Sequence, residues 1–109
     1  MRKIIYLGVS LLILASCQSV KYKDVVYGQS KNKSDLKLNV FVPNNSEQTK
    51  FPVLIFVHGG NWNSGDKNQY GFFGRNFAKK DVITVIPEYT LSPKANVDEM
   101  TSEIAMAIK

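Results

Sequence analysis

Residues 58 to 62, His58-Gly59-Gly60-Asn61-Trp62, are the part of this 109-residue chain best equipped for chemistry. Glycine has no Cβ, so it reaches positive φ angles and lets backbone approach a ligand closely; two successive N–H groups can then aim at one oxygen. N–H groups fixed in a water-poor site stabilise negative charge as it develops on a carbonyl oxygen, which is the electrostatic demand of acyl transfer. The glycines directly follow the apolar run Val53-Leu54-Ile55-Phe56-Val57, so the turn sits at the end of a strand.

Other chemistries find less support. One histidine, one cysteine and scattered carboxylates give no recognised metal-ligand spacing, and no cofactor is expected. Gly71-Phe72-Phe73-Gly74 is not a nucleotide fingerprint and reads as an aromatic-rich helix start. The formal charge of +5 is modest, and no nucleic-acid motif accompanies it.

The segment resembles the HGG-x-W oxyanion motif of the α/β-hydrolase superfamily, in the esterase branch that includes bacterial acetyl and feruloyl esterases and arylformamidases. Ser64-Gly65-Asp66-Lys67 and the later Tyr89, Leu91, Ser92 and Pro93 fit the same branch. The resemblance implies Gly60 and Asn61 as the oxyanion-hole donors, Gly59 as the residue shaping the turn, and His58 and Trp62 as its support. It implies a carboxylic-ester hydrolase acting on a small ester or acylated carbohydrate. Glu88 and Thr90 depart from the branch's usual Asn-Tyr-Arg, while Tyr89 is kept.

His58 is the sole histidine, yet its place at the start of the turn fits a ring held under the loop and bonded to backbone, not a general base. The family's triad histidine comes near the C-terminus, and this chain has no second one. A serine nucleophile of this fold needs G-x-S-x-G at a strand-to-helix turn, and none of Ser30, Ser34, Ser46, Ser64, Ser92 or Ser102 lies in one. Ser64 reads as a turn residue. Trp62 admits two readings, a rim of the substrate cleft or simple packing. Asp66 and Lys67 are expected to brace the loop.

The elements that must position the turn follow from hydrophobic patterning. Asp24–Gly28 reads as a first strand. Leu36, Leu38, Val40 and Val42 alternate with Lys37, Asn39 and Phe41, predicting a second strand with one face in the core. Val53–Val57, apolar throughout, predicts a central strand buried on both faces. Phe72, Phe73, Phe77 and Ala78 mark a crossover helix within 70–80, Val82–Ile86 a second buried strand, and Val97, Met100, Ile104, Ala105 and Ile108 the stripe of a last helix. The expected class is α/β: the N-terminal portion of an α/β-hydrolase fold, an antiparallel hairpin and then βαβα, with the C-terminal strands and helices missing. The chain alone is therefore expected to be inactive.

Ahead of this lies a targeting segment. Arg2 and Lys3 precede an apolar run from Ile4 to Leu14, too short for a comfortable permanent membrane span. Leu14-Ala15-Ser16-Cys17 resembles a bacterial lipobox, so Cys17, the only cysteine, is the expected lipid anchor. This divides the chain into a signal peptide (1–16), a polar tether (17–23) and an incomplete hydrolase domain (24–109). It also predicts an envelope lipoprotein facing the periplasm or the exterior. Signal removal leaves 12 basic and 9 acidic side chains; the lysines nearest the anchor suit a solvated tether or an anionic lipid surface. The absent elbow also admits a non-catalytic, lipid-anchored binding protein that keeps the fold, although binding alone has no need of an HGG turn.

Overall fold

The computed structural model describes residues 19–44 and 46–109. The proposed signal peptide and Cys17 lie outside these residues. Strands β1 (Ser19–Gln29), β2 (Asp35–Pro43), β3 (Val53–Ile55) and β4 (Ile83–Pro87) form one sheet in the order β1-β2-β4-β3. β1 runs antiparallel to β2 and β2 antiparallel to β4, whereas β3 and β4 are parallel. Helix α1 (Gly71–Ala78), entered through a 3-10 turn at Lys67–Tyr70, makes the crossover between β3 and β4. Helix α2 (Val97–Ile108) follows β4, and its first turn is fixed by a capping box in which Asn96 and Glu99 bond each other's backbone N–H groups.

The hairpin, the βαβ unit and the last helix agree with the patterning, with three differences. First, Ser19–Lys23, read as tether, belongs to β1. The irregularity between Tyr22 and Val25 includes Asp24 at φ 57°, and ladder pairing resumes on either side. Alternating lysines there decorate an exposed outer strand.

Second, β2 buries residues on both of its faces. Leu36 and Leu38 are buried as expected, but so are Asn39 and Phe41. β2 is flanked by β1 and β4, and a helix reaches each face. Phe41 packs with Ala78 of α1 and Ile86 of β4, while Met106 of α2 lies over Gly28, the cross-strand partner of Leu36. The polar Asn39 is affordable there because its side chain bonds Asp24 N–H and Asn68.

Third, β3 is not buried on both faces. It pairs with β4 alone, and Val53 and Val57 are 57% and 42% exposed. A continuous apolar run records burial in the finished sheet, and among the described residues β3 is an edge. The last helix shows the same effect: Met100 is buried, whereas Val97 and Ile108 are exposed and Glu103, outside the expected stripe, is buried.

Candidate active site

Beyond β3 the chain keeps its hold on β4, with Phe56 N–H bonding Val85 O at 2.8 Å, and then turns sharply. Gly60, Asn61 and Trp62 have φ of 138°, 56° and 66°, three consecutive positive values. The turn closes on the Gly60 carbonyl, which accepts from Ser64 N–H at 3.0 Å, Asn63 N–H at 3.3 Å and the Ser64 hydroxyl at 2.7 Å. A Cβ on Gly60 would stand 2.0 Å from Ser64 O, so only glycine fits. Gly65, at φ 103°, closes the loop against Gly59 O and the His58 ring, where a Cβ would lie at 2.5 and 2.8 Å.

Among the described residues, neither Gly60 N–H nor Asn61 N–H has an acceptor. Both residues, with Val57, His58, Gly59, Trp62 and Tyr89, line an open cavity of about 280 Å³. Two neighbouring amides bordering such a cavity can receive an oxygen that carries partial negative charge.

His58 is buried under the turn. Its Nδ1 lies 3.0 Å from Gly59 O, and since a carbonyl only accepts, the proton sits on Nδ1. Its ring stacks on Tyr89 at 4.8 Å and faces Tyr70 at 6.0 Å. Trp62 is 54% exposed and tilts toward Tyr89 at 6.3 Å.

The segment after β4 holds both ends of the turn. Tyr89 OH donates to His58 O at 2.8 Å, ahead of the glycines, and Ser92 N–H donates to Trp62 O at 2.8 Å, behind them. Burial, and then the neighbouring Tyr70, raise the Tyr89 pKa, so the phenol stays a donor.

Lys67 is the buried brace. Its ammonium lies 2.8 Å from Asp24 and 3.3 Å from Glu88, whose other oxygen accepts from Lys37 N–H at 3.0 Å. Burial alone would lower the Lys67 pKa, but the bonds and charges of Asp24 and Glu88 outweigh it and the net shift is upward. The hydrogen bond from Lys67 holds the Asp24 carboxyl below its usual range. Asp66 caps the 3-10 turn by accepting from Asn68 N–H at 2.8 Å. Tyr27 donates its hydroxyl to Glu88 O; burial, then the charges of Glu103 and Glu88, push its pKa up. Glu88 and Thr90, where the esterase pattern has Asn and Arg, are thus furnished with partners of their own, Thr90 bonding Glu103.

The ties made by Asp24, Tyr27, Ser92 and Glu103 escape sequence reasoning because their partners lie 13 to 61 residues away along the chain. One signal was present: Glu103 falls three residues after Met100 and beside Ile104, at the margin of the apolar stripe. Among the described residues no group of three or more His, Cys, Asp or Glu side chains could hold a metal.

The carboxylesterase family matches residues 15–97 of the sequence. The chain belongs to that family. Kynurenine formamidase of Danio rerio is 31% identical over 85 residues, covering 78% of this chain and 28% of the relative. The isoprenylcysteine alpha-carbonyl methylesterase of Arabidopsis thaliana is 31% identical over 87 residues, covering 79% of this carboxylesterase-family chain and 19% of its own. The fold is that of the N-terminal part of an α/β-hydrolase. Esterase B from Lactobacillus Rhamnosis superposes with a TM-score of 0.75 at 20% identity, over 96% of this chain and 37% of that one. An esterase of Thermogutta terrifontis gives 0.68 at 24%, over 78% and 31%. The chain thus spans about a third or less of the carboxylesterase-family proteins it resembles.

Proposed function

We propose that Gly60 and Asn61 are the oxyanion-binding half of a carboxylic-ester hydrolase site, whose serine nucleophile and histidine base are contributed by sequence outside residues 1–109. The observation that carries this reading is the pair of adjacent amides that have no acceptor among the described residues, in a turn of three positive φ values, on a chain of the carboxylesterase family. When a serine oxygen attacks an ester carbonyl, the carbonyl oxygen gains charge. The two N–H groups hold that charge without reorganising, and one such donor is worth about 10²- to 10³-fold in rate. Substrates are small esters or acylated carbohydrates. His58 fixes the turn and takes no proton from the nucleophile.

The test is hydrolysis of an activated acetyl ester by the product of the whole reading frame. We expect turnover that a serine-directed phosphonate abolishes, and a G-x-S-x-G sequence with a late histidine downstream of Lys109. A frame lacking both, with no turnover, overturns the reading and leaves a binding protein that keeps the fold. Residues 1–109 alone should turn over nothing, since nucleophile and base act as a unit.

The location follows from Arg2, Lys3, the apolar run and Cys17: the protein is exported and held in the cell envelope by acyl chains on Cys17. Cys17→Ser should move it from the membrane to the soluble fraction. Unchanged membrane retention of that variant points instead to an uncleaved helical anchor.

A further inference from the structure

The buried carboxylate of Glu103 has no cation beside it among its hydrogen-bond partners. It accepts instead from Thr90 twice, from the backbone N–H at 2.6 Å and from the hydroxyl at 2.8 Å. A buried carboxylate is costly to desolvate, and two bonds to one residue convert that cost into a fixed distance between helix α2 and the segment after β4. Thr90 is flanked by the two contacts that bracket the turn, Tyr89 OH to His58 O and Ser92 N–H to Trp62 O. The opposite end of that segment is held from β1, by Tyr27 OH on Glu88 O.

We infer that Glu103, acting through Thr90, is a positioning residue for the turn: it sets where Tyr89 and Ser92 stand, and they set where Gly60 and Asn61 present their amides. Neither Glu103 nor Thr90 lines the cavity that Gly60 and Asn61 border, although Thr90 lines a separate cavity on the far side of the turn with His58 and Gly65. The displacement of an amide by a fraction of an ångström weakens its bond to a developing oxyanion far more than it weakens ground-state binding. The link therefore acts on kcat and leaves KM alone. Only this kinetic consequence rests on the ester-hydrolase reading; the mechanical link does not.

The experiment compares Thr90→Val, Thr90→Ser and Glu103→Leu in the full-length protein by hydrogen exchange at single amides and by ester kinetics. Ser64 and Ser92 amides, which report the closure of the turn and its rear tie, should exchange at least about tenfold faster in Thr90→Val and Glu103→Leu. The Val40 amide in β2 should stay unchanged, and Thr90→Ser, which keeps the hydroxyl, should match the parent. kcat should fall about tenfold in the two disruptive variants with KM within twofold. Exchange that rises equally at Val40 shows general loosening and overturns the inference. So does unchanged exchange at Ser64 and Ser92, or a loosened turn with unaltered kcat. If the parent itself lacks ester turnover, the hydrolase reading fails separately, and the exchange pattern alone decides whether Glu103 positions the turn.

Discussion

On one flank of the 58–65 turn, Lys67 sits between Asp24 and Glu88, Asp66 caps the following 3-10 turn, and Tyr89 ties the chain to His58. On the other flank, Val57, Trp62 and Tyr89 face Met100, Ile104 and Ile108 across an apolar cleft of about 260 Å³. The first flank is held by directional bonds between residues far apart in sequence. The second offers mainly apolar surface, tied to the fold at Trp62 O by Ser92 N–H. A turn that must present two amides at a set position needs one rigid side, while a side that receives another group must stay uncommitted. On the proposed function, the Lys67 flank supplies stability and the Trp62 flank admits ligand, and substitutions can test that division.

The largest effect is expected where the two flanks meet. Gly60→Ala puts a Cβ 2.0 Å from Ser64 O at φ 138° and forces the turn open. If the full-length protein hydrolyses esters as proposed, its turnover should fall by at least about 10²-fold, while KM changes little; turnover within a few-fold of the parent would remove Gly60 from the site.

Next comes the braced flank. Lys67→Met leaves Asp24 and Glu88 without their shared cation. Because both carboxylates keep some solvent, the loss should be about 2 kcal/mol, less than for a fully buried pair. The pH dependence has a defined sign. Asp24, with its pKa lowered, contributes stability that is present above the ordinary carboxylate range and lost as pH falls through its folded value. Lys67, with its pKa raised, contributes stability complete below the ordinary lysine value and lost as pH rises through its folded one. Melting curves of Lys67→Met should therefore be flatter than the parent's at both extremes, and an unchanged acid limb would show that Asp24 gains nothing from Lys67.

A smaller change separates the flanks directly. Tyr89→Phe removes the bond to His58 O and should cost about 1 kcal/mol, with a matching drop in kcat. Trp62→Ala, on an exposed residue of the open flank, should leave the melting temperature within about 2 °C while raising KM. If Trp62→Ala destabilises more than Tyr89→Phe, Trp62 packs and does not serve as a rim. The smallest effect on turnover is expected of Asn96→Ala, which removes the cap of α2; it should cost about 1 kcal/mol and leave kcat unaltered.

Much of this architecture was legible in local pattern. The period-2 alternation of 36–42 marked β2, the aromatic spacing of 72–78 marked α1, and the paired glycines after an apolar run marked the turn. These signals arise within a few residues, where steric limits and side-chain direction act. Strand neighbours leave no such trace. That β4 would lie between β2 and β3, burying Asn39 and Phe41 and leaving Val53 and Val57 open, depends on pairing between residues 30 to 49 apart in the chain.

The sequence by itself determined that the chain turns at Gly59-Gly60 after its apolar run, because glycine reaches backbone angles that other residues resist; the folded chain then put positive φ at residues 60–62. It determined equally that no serine of this chain stands in an elbow. The tertiary structure decided what holds the turn in place: Tyr89 against His58, Ser92 against Trp62, Glu103 beneath Thr90, and Lys67 between two carboxylates. Hydrogen bonds and ion pairs require atoms within about 3 Å, and only the folded chain brings side chains from β1, the 3-10 turn, the segment after β4 and α2 to that distance at one strand end.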